Sequence, residues 1–421
     1  RVPAARRLHA ATNGRHPVPS SDPATYDQVA WNLARGLGFS LGSDGATWPT
    51  AFVPPLVPFW ISQIYRVAGH DPFLALLVQC AIGALVPLLI GRLAAALYGS
   101  SVARLTGWIV TLDPLLIFFS GYLLTETTFS ATLALAMLAS VAWVKTPRSG
   151  RAVGVGLLWG LASLSRPTAL LLPAALALWA WVPLGLALTR AARIRQLALM
   201  ALGLAVVVGP WTLRNAIELR AFVLITTGQG RALLDSNNPL VWDDPAQRGN
   251  AVTVYQREPW SRAFRGRSEP EVDRLASGFA IEYLRANASR WPAMAVAKVS
   301  RMWRVTREGG ARDWSGGGAW LARLRFADPL LLWSLPLFAC AVIGLAFTVR
   351  GPRRWFQLSA LGPLIYFTLL ATLYWGALRV RVPVQPLIAI YAAAGVDALV
   401  KRGRVRASGL TVIEGRSAAA R

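Results

Sequence analysis

The chain has 421 residues, 54% hydrophobic and only 15% charged, with 44 lysines and arginines against 20 aspartates and glutamates. A soluble domain is about a quarter charged, so a single soluble core is excluded. The net charge of +24 does not point to nucleic acid, because the basic residues cluster between apolar stretches, as in loops held on the cytoplasmic side of a membrane.

Residues 1–72 begin without a methionine or an apolar segment, which we read as a truncated start or a missing first span. Within them Ser21 to Gly36 forms a short interfacial helix, with Tyr26, Val29, Ala30, Leu33 and Leu37 on one face. Residues 51–69 are apolar, but Pro54, Pro55 and Pro58 allow helix only from about Pro58, too short to span. They form a second interfacial helix with Trp60 and Tyr65 at headgroup level.

Nine apolar windows follow, at roughly 73–97, 101–119, 126–144, 152–166, 167–188, 195–213, 328–348, 355–375 and 383–400. Each approaches the ~20 residues that cross a bilayer as helix, although the fourth is short and ends at Arg166-Pro167. The chain is therefore an all-α, polytopic transmembrane helix bundle with interfacial amphipathic helices and a long external loop. It divides into an external segment 1–72, about six spans in 73–213, an external loop 214–327, about three spans in 328–400 and a disordered basic tail 401–421. The loop holds amphipathic helices near 271–286 and 292–306.

Orientation comes from the short basic connections: Lys145, Arg148 and Arg151; Arg190, Arg193 and Arg195; Arg350, Arg353 and Arg354; and Lys401, Arg402, Arg404 and Arg406. Placing all four inside leaves 1–72, 119–126, 214–327 and 376–382 outside and the C-terminus in the cytoplasm. Lysine is confined to Lys145, Lys298 and Lys401, a preference for arginine that fits a GC-rich genome and carries no chemistry. Cys80 and Cys340 lie in apolar runs, and His9, His16 and His70 lack metal-ligand spacing, so neither a disulfide framework nor a zinc site is expected.

Several charged residues fall on the outer face. Asp22 precedes Pro23, which alone is a helix cap followed by proline at N1. Glu126 stands at the mouth of an apolar helix, where an ionisable group is a functional suspect, although an acid also complements the helix dipole there. Asp113, beside Pro114, reads as a packing or kink residue. Arg379 and Arg381 stand on the side where basic residues are disfavoured and suit a lipid-linked phosphate, or else snorkel to headgroups. Arg214-Asn215 ends another span, followed by Thr226 to Gly230 and Asp235 to Pro239, polar and glycine-rich enough to approach a sugar or to be an ordinary loop. No Walker loop, Rossmann glycine motif, Ser-His-Asp set or HExxH is present.

The order of these motifs resembles the GT-C superfamily of integral-membrane glycosyltransferases: an Asp-x-x-x-Tyr helix at Asp22 and Tyr26, Pro54-Pro55-x-x-Pro58, Glu126, Arg166-Pro167, Pro210-Trp211-x-x-Arg214-Asn215 and Arg379-x-Arg381-x-Pro383. The nearest resemblance is to bacterial members similar to protein mannosyltransferases and the aminoarabinose transferase of lipid A, from about Ser20 to Val400. It implies a sugar donor on polyprenyl phosphate, Asp22 as the base, Glu126 as a second acid near the donor or a metal, and Arg379 and Arg381 at the phosphate. Tyr26, Asp27, Arg214, Asn215 and Asn237 are the candidate substrate contacts. The tyrosine of the relatives' Pro-Pro-Leu-Tyr-Pro is Val57 here, and Ala51-Phe52-Val53 lacks the acid that precedes that motif in aminoarabinose transferases. No cofactor is certain, and a divalent metal stays open.

The expectation is a multi-pass enzyme of the bacterial inner membrane, working at the periplasmic face and transferring a sugar with inversion. Its partners are the polyprenyl-phosphate sugar, membrane lipids and an acceptor (protein, lipid or glycan) left open, with no nucleic acid. Trp260, Trp291, Trp303 and Trp314 serve equally well for sugar stacking or headgroup anchoring, and Asn287-Ala288-Ser289 fits a glycosylation sequon that is short enough to arise by chance. The alternatives are a transporter or flippase for a lipid-linked substrate, which calls for paired halves broken near the midplane, and a non-catalytic scaffold. No internal symmetry is visible in the sequence.

Overall fold

The structure, a computed structural model, describes residues 22–43, 46–181, 188–304 and 329–418. Expectations for residues 1–21, for His9 and His16 and for Trp314 fall outside these. In chain order the main elements are α1 (Asp22–Ala34), β1 (Ser40–Ser43), β2 (Ala46–Pro49), α2 (Leu56–Ala68), α3 (Pro72–Tyr98), α4 (Ser100–Thr111), α5 (Pro114–Ser120), α6 (Thr125–Lys145), α7 (Ser149–Ser165), α8 (Leu172–Trp181) and α9 (Arg190–Leu219). They continue with α10 (Gln229–Ser236), α11 (Glu269–Ala286), α12 (Trp291–Met302), α13 (Pro329–Arg350), α14 (Leu361–Leu373), α15 (Leu378–Arg381) and α16 (Gln385–Ala418).

The chain is a polytopic helical membrane protein. Among the described residues six helical stretches are long and apolar enough to cross a bilayer, and the α4–α5 pair, bent by 52°, makes a seventh if counted as one span. Nine were expected. Of the two that fall short, α7 has 17 residues and α8 has 10. Arg166 is extended (φ −151°) ahead of Pro167, a residue type that disfavours helix before it, so α7 stops there. The segment expected to be a disordered tail is instead the continuation of α16 to Ala418.

Two helices form the centre: 67% of the apolar window of α6 and 72% of that in the last span are buried, against 22% in α3. Because lipid tails compete equally for apolar side chains, such helices associate through close backbone packing. Glycines provide it at two crossings. A Cβ on Gly156 of α7 would lie 2.0 Å from the Met200 carbonyl oxygen of α9, and one on Gly203 would lie 2.4 Å from that of Val153. Between α13 and α16, a Cβ on Gly344 would lie 1.9 Å from the Tyr391 oxygen, and one on Gly395 2.2 Å from that of Cys340. Overpacking a filled core costs about 1–3 kcal/mol or more. Gly344→Leu is accordingly expected to lower the melting temperature and the monodisperse yield of the detergent-solubilised protein, whereas Gly150→Leu, where nothing lies within 4 Å, leaves both near wild type.

At one end of the bundle α1, a two-stranded antiparallel hairpin and α2 pack together. The hairpin was not anticipated. It pairs Ser40 with Pro49 and Ser43 with Ala46, and Asn32 of α1 holds it by donating Nδ2 to the carbonyls of Ser40 (3.0 Å) and Gly42 (2.9 Å). Gly42 has φ +93°, and a Cβ there would meet the Ala46 oxygen at 2.1 Å, so only glycine fits. α2 begins at Leu56, two residues earlier than expected, because Pro58 lies in the first turn, where a missing N–H costs no intrahelical bond.

The helices expected near 271–286 and 292–306 occur as α11 and α12. Glu269 at the start of α11 ties this region to the N-terminal segment, accepting from Thr50 Oγ1 (2.6 Å), Ala51 N (2.9 Å) and Thr227 Oγ1 (2.5 Å).

Candidate functional site

Four charged side chains from four separate parts of the chain meet at the α1 end of the bundle. Asp22 opens α1; Glu126 lies in the first turn of α6; Arg166 occupies the break after α7; Arg379 belongs to α15, just before the last long helix. Arg379 donates Nη1 to Asp22 Oδ2 and Nε to Glu126 Oε1, and Arg166 donates Nη2 to the same Glu126 oxygen at 2.8 Å. Glu126 is fully buried and its Oε2 has no partner among the described residues, whereas the Asp22 side chain is 52% exposed. The cluster thus grades from a buried carboxylate held by two guanidiniums to an open one at the mouth. The Arg166 guanidinium also lies over the Phe129 ring, 5.7 Å from its centroid.

One turn on from Asp22, Tyr26 is buried and feels the charges of all four groups. Burial first, then the Asp22 carboxylate, pushes its hydroxyl far above the usual range, which keeps it a neutral donor. Tyr255 also feels the charge of Asp22, with its own acidity suppressed chiefly by burial. Its ring and that of Phe52 flank the Arg231 guanidinium at 5.4 and 5.2 Å, joining α10 to the loop after it and to the approach to α2.

The other expected site residues are placed differently. Arg381 is buried, donates Nη1 to the Arg304 carbonyl at 2.9 Å and lies 5.2 Å from the Phe338 ring centroid, making no contact with the carboxylate pair. Asp27 accepts from Tyr65 Oη at 2.5 Å and lies 3.0 Å from His70 Nε2, joining α1 to α2. Arg214 donates to the carbonyls of Thr50 and Phe39, both at 2.7 Å, and Asn215 to those of Val223 and Ile225. Asn237 is buried between the Leu373 carbonyl and Lys298 Nζ, each 2.8 Å away.

Arg166 was missed as a site residue, since its place before Pro167 reads as the end of a broken span. Its signal was a charge closing an apolar helix at the same end as Glu126. A divalent metal fits poorly: no three His, Cys, Asp or Glu side chains come together as ligands among the described residues, and Glu126 already accepts from two guanidiniums.

The α10–α12 region has its own titration signature. Burial pushes Asp235 and Asp273 up to about 6 and Lys298 down to about 7. The acids hold protons that an unfolded chain, titrating near ~4, has lost, so stability falls as pH rises from about 4 to about 6. The lysine has lost a proton that the unfolded chain keeps until about 10.4, so stability rises from about 7 to about 10. Melting temperature in detergent should therefore pass through a minimum between about 6 and 7, and Lys298→Met should remove the alkaline rise.

Comparisons with known proteins agree with this architecture. Residues 53–212, from the approach to α2 through most of α9, match the family model of dolichyl-phosphate-mannose-protein mannosyltransferases. Two structures of the Archaeoglobus fulgidus oligosaccharyltransferase cover 93% of this chain. One, in the apo form, has 16% identity and a TM-score of 0.52; the other, with an inhibitory peptide and a dolichol-phosphate, has 14% and 0.55. The chain spans about half the length of that protein, 48% in each case. ArnT from Cupriavidus metallidurans, solved with undecaprenyl phosphate, is similar at 15% identity and a TM-score of 0.43, covering 94% of this chain and 76% of its own. No curated protein matches the sequence. Over 93% of its length the chain thus shares its fold with about half of the Archaeoglobus fulgidus oligosaccharyltransferase.

Proposed function

We propose that the protein transfers a sugar from a polyprenyl-phosphate carrier to an acceptor hydroxyl at the external face of a bacterial inner membrane, with inversion at the anomeric carbon. The observation that carries this reading is the graded chain Asp22, Arg379, Glu126 and Arg166, with its open carboxylate at the mouth and its buried one behind. It draws support from the mannosyltransferase-family match and from the dolichol-phosphate in the structurally similar oligosaccharyltransferase.

Asp22 is placed to take the proton from an acceptor hydroxyl as its oxygen attacks the anomeric carbon; the carbon–oxygen bond to the lipid phosphate breaks on the opposite face. Arg379 makes no hydrogen bond through Nη2 among the described residues, so this group is free to meet the phosphate as charge gathers on it. Glu126, held by Arg166, keeps Arg379 in place throughout. The activated donor arrives with its phosphate on the lipid, so no nucleotide site is needed.

The orientation rests on charge. Lys145, Arg151 and Arg350 lie at helix ends opposite the cluster, and Lys401 lies near the far end of the last apolar span, a bias that supports an orientation with that end and the C-terminus in the cytoplasm and the cluster outside. A transporter reading is less well supported, because the four-charge cluster lies at one end of the bundle instead of its middle. The test is transfer from a panel of labelled undecaprenyl-phosphate sugars to membrane extract by the full-length protein in proteoliposomes. One donor should give acceptor-bound label. Movement of labelled lipid between leaflets without transfer would establish the transporter.

A further inference from the structure

Asp113 lies outside the four-charge cluster, and the chemistry above does not use it. It is 2% exposed and sits at the bend between α4 and α5. Its Oδ1 accepts from Leu115 N (2.9 Å) and Leu116 N (3.2 Å), capping α5; its Oδ2 accepts from Trp333 Nε1 and Gln385 Nε2, both at 2.9 Å. Four N–H donors on one carboxylate suit an acceptor-only group, and the nearby charge acting on Arg381 is that of Asp113. A kink residue needs only the first pair of bonds. The second pair ties the bend to α13 and to the first residue of α16.

The chain positions joined this way lead directly to the proposed reaction centre. From α5 the chain passes through a turn, held by Gln79 donating Nε2 to the carbonyls of Ser120 and Tyr122, into the first turn of α6 and Glu126. Back from Gln385 it passes Arg381, anchored on the Arg304 carbonyl, to Arg379. Leu115, Leu330, Leu378 and Val382 pack into one buried apolar cluster, which includes the residue just before Arg379.

We propose that Asp113 and Gln385 are positioning residues, whose hydrogen bond fixes the α5–α6 turn against the α15–α16 junction and so sets Glu126 at Arg379. This rests on the glycosyltransferase reading, but the bond can be tested without turnover. Asp113→Asn keeps the oxygen that caps α5 and loses the acceptor facing Trp333 and Gln385; Gln385→Glu sets two carboxylates against each other. The double variant restores one donor, one acceptor and the original charge, with their direction reversed; every member of the cycle, the parent included, carries Trp333→Phe, because the new amide would otherwise face the Trp333 N–H.

The experiment is a donor–acceptor swap cycle in the full chain. Its first readout is transfer kinetics, and its second is the distance distribution between spin labels at Gly121→Cys, in the α5–α6 turn, and Ala377→Cys, at the start of α15, with Cys80 and Cys340 replaced by serine. Each single variant should lower kcat at least tenfold, leave the donor KM within twofold and broaden the distribution. The double should return kcat to within threefold of the parent and narrow the distribution again. Wild-type kcat and an unchanged distribution in Asp113→Asn, or a double no better than the worse single variant in both readouts, overturns the proposal. If the parent transfers no sugar, the glycosyltransferase reading has failed, and the label distances alone still decide whether the bond positions the two segments.

Discussion

Asp22→Asn is expected to lower the turnover of sugar transfer by about 10²–10⁴, the range that a positioned general base contributes, while binding of undecaprenyl phosphate stays within threefold. The separation follows from the placement of Asp22. Half of its side chain is exposed and, among the described residues, its ion-pair partner is Arg379 through Nη1, so its loss leaves Glu126 holding that guanidinium through Nε. Asparagine keeps an oxygen for Arg379 and nearly the same volume, so the fold should be unaffected; what it lacks is the capacity to accept a proton near neutral pH. The rate should be measured with the donor identified by the panel assay, alongside binding of unlabelled undecaprenyl phosphate in the same detergent. If the two proteins turn over equally, Asp22 is not the base; if both rate and binding collapse together, Asp22 acts on donor placement.

Much of this site was readable from single residues, and the reason is the membrane. A charge at the end of a twenty-residue apolar helix is costly unless it has a partner, so Glu126 and Arg379 announce themselves by position alone. Arg381 was grouped with Arg379 by closeness in sequence. Two residues along a helix turn the chain by about 200°, so the pair points to opposite sides, and Arg381 is buried against Phe338 and Arg304 instead. Arg166 was hidden by a stronger local signal, the helix stop at Pro167. Asn237 and Arg214 looked like contacts for a sugar because they are polar, but pairwise spacing says nothing about carbonyls more than a hundred residues away in the chain. The hairpin had a cue in Asp44-Gly45, a strong turn dipeptide; its four-residue strands are too short to show an alternating pattern.

The buried half of the cluster supports a different kind of result, a reversal of stability within a mutant cycle. Removing one partner from a buried ion pair costs about 3–5 kcal/mol, because the other charge is left without compensation, whereas removing both with size-matched groups is often neutral. Glu126 is fully buried and Arg166 only 17% exposed. Glu126→Gln should thus destabilise the protein strongly, leaving Arg166 and Arg379 facing each other, and Arg166→Met added to it should recover much of the lost melting temperature. Transfer should not return with stability, since Arg379 would then lack the anion that aims it between Asp22 and the leaving phosphate. Melting temperatures and turnover for the two single variants and the double variant form one cycle, with positive coupling in stability and none in rate. Additive melting temperatures would mean that Glu126 and Arg166 are not held as a buried pair. Restored transfer in the double would mean that Glu126 serves only to neutralise Arg166, and Arg379 would then need no acid behind it to work.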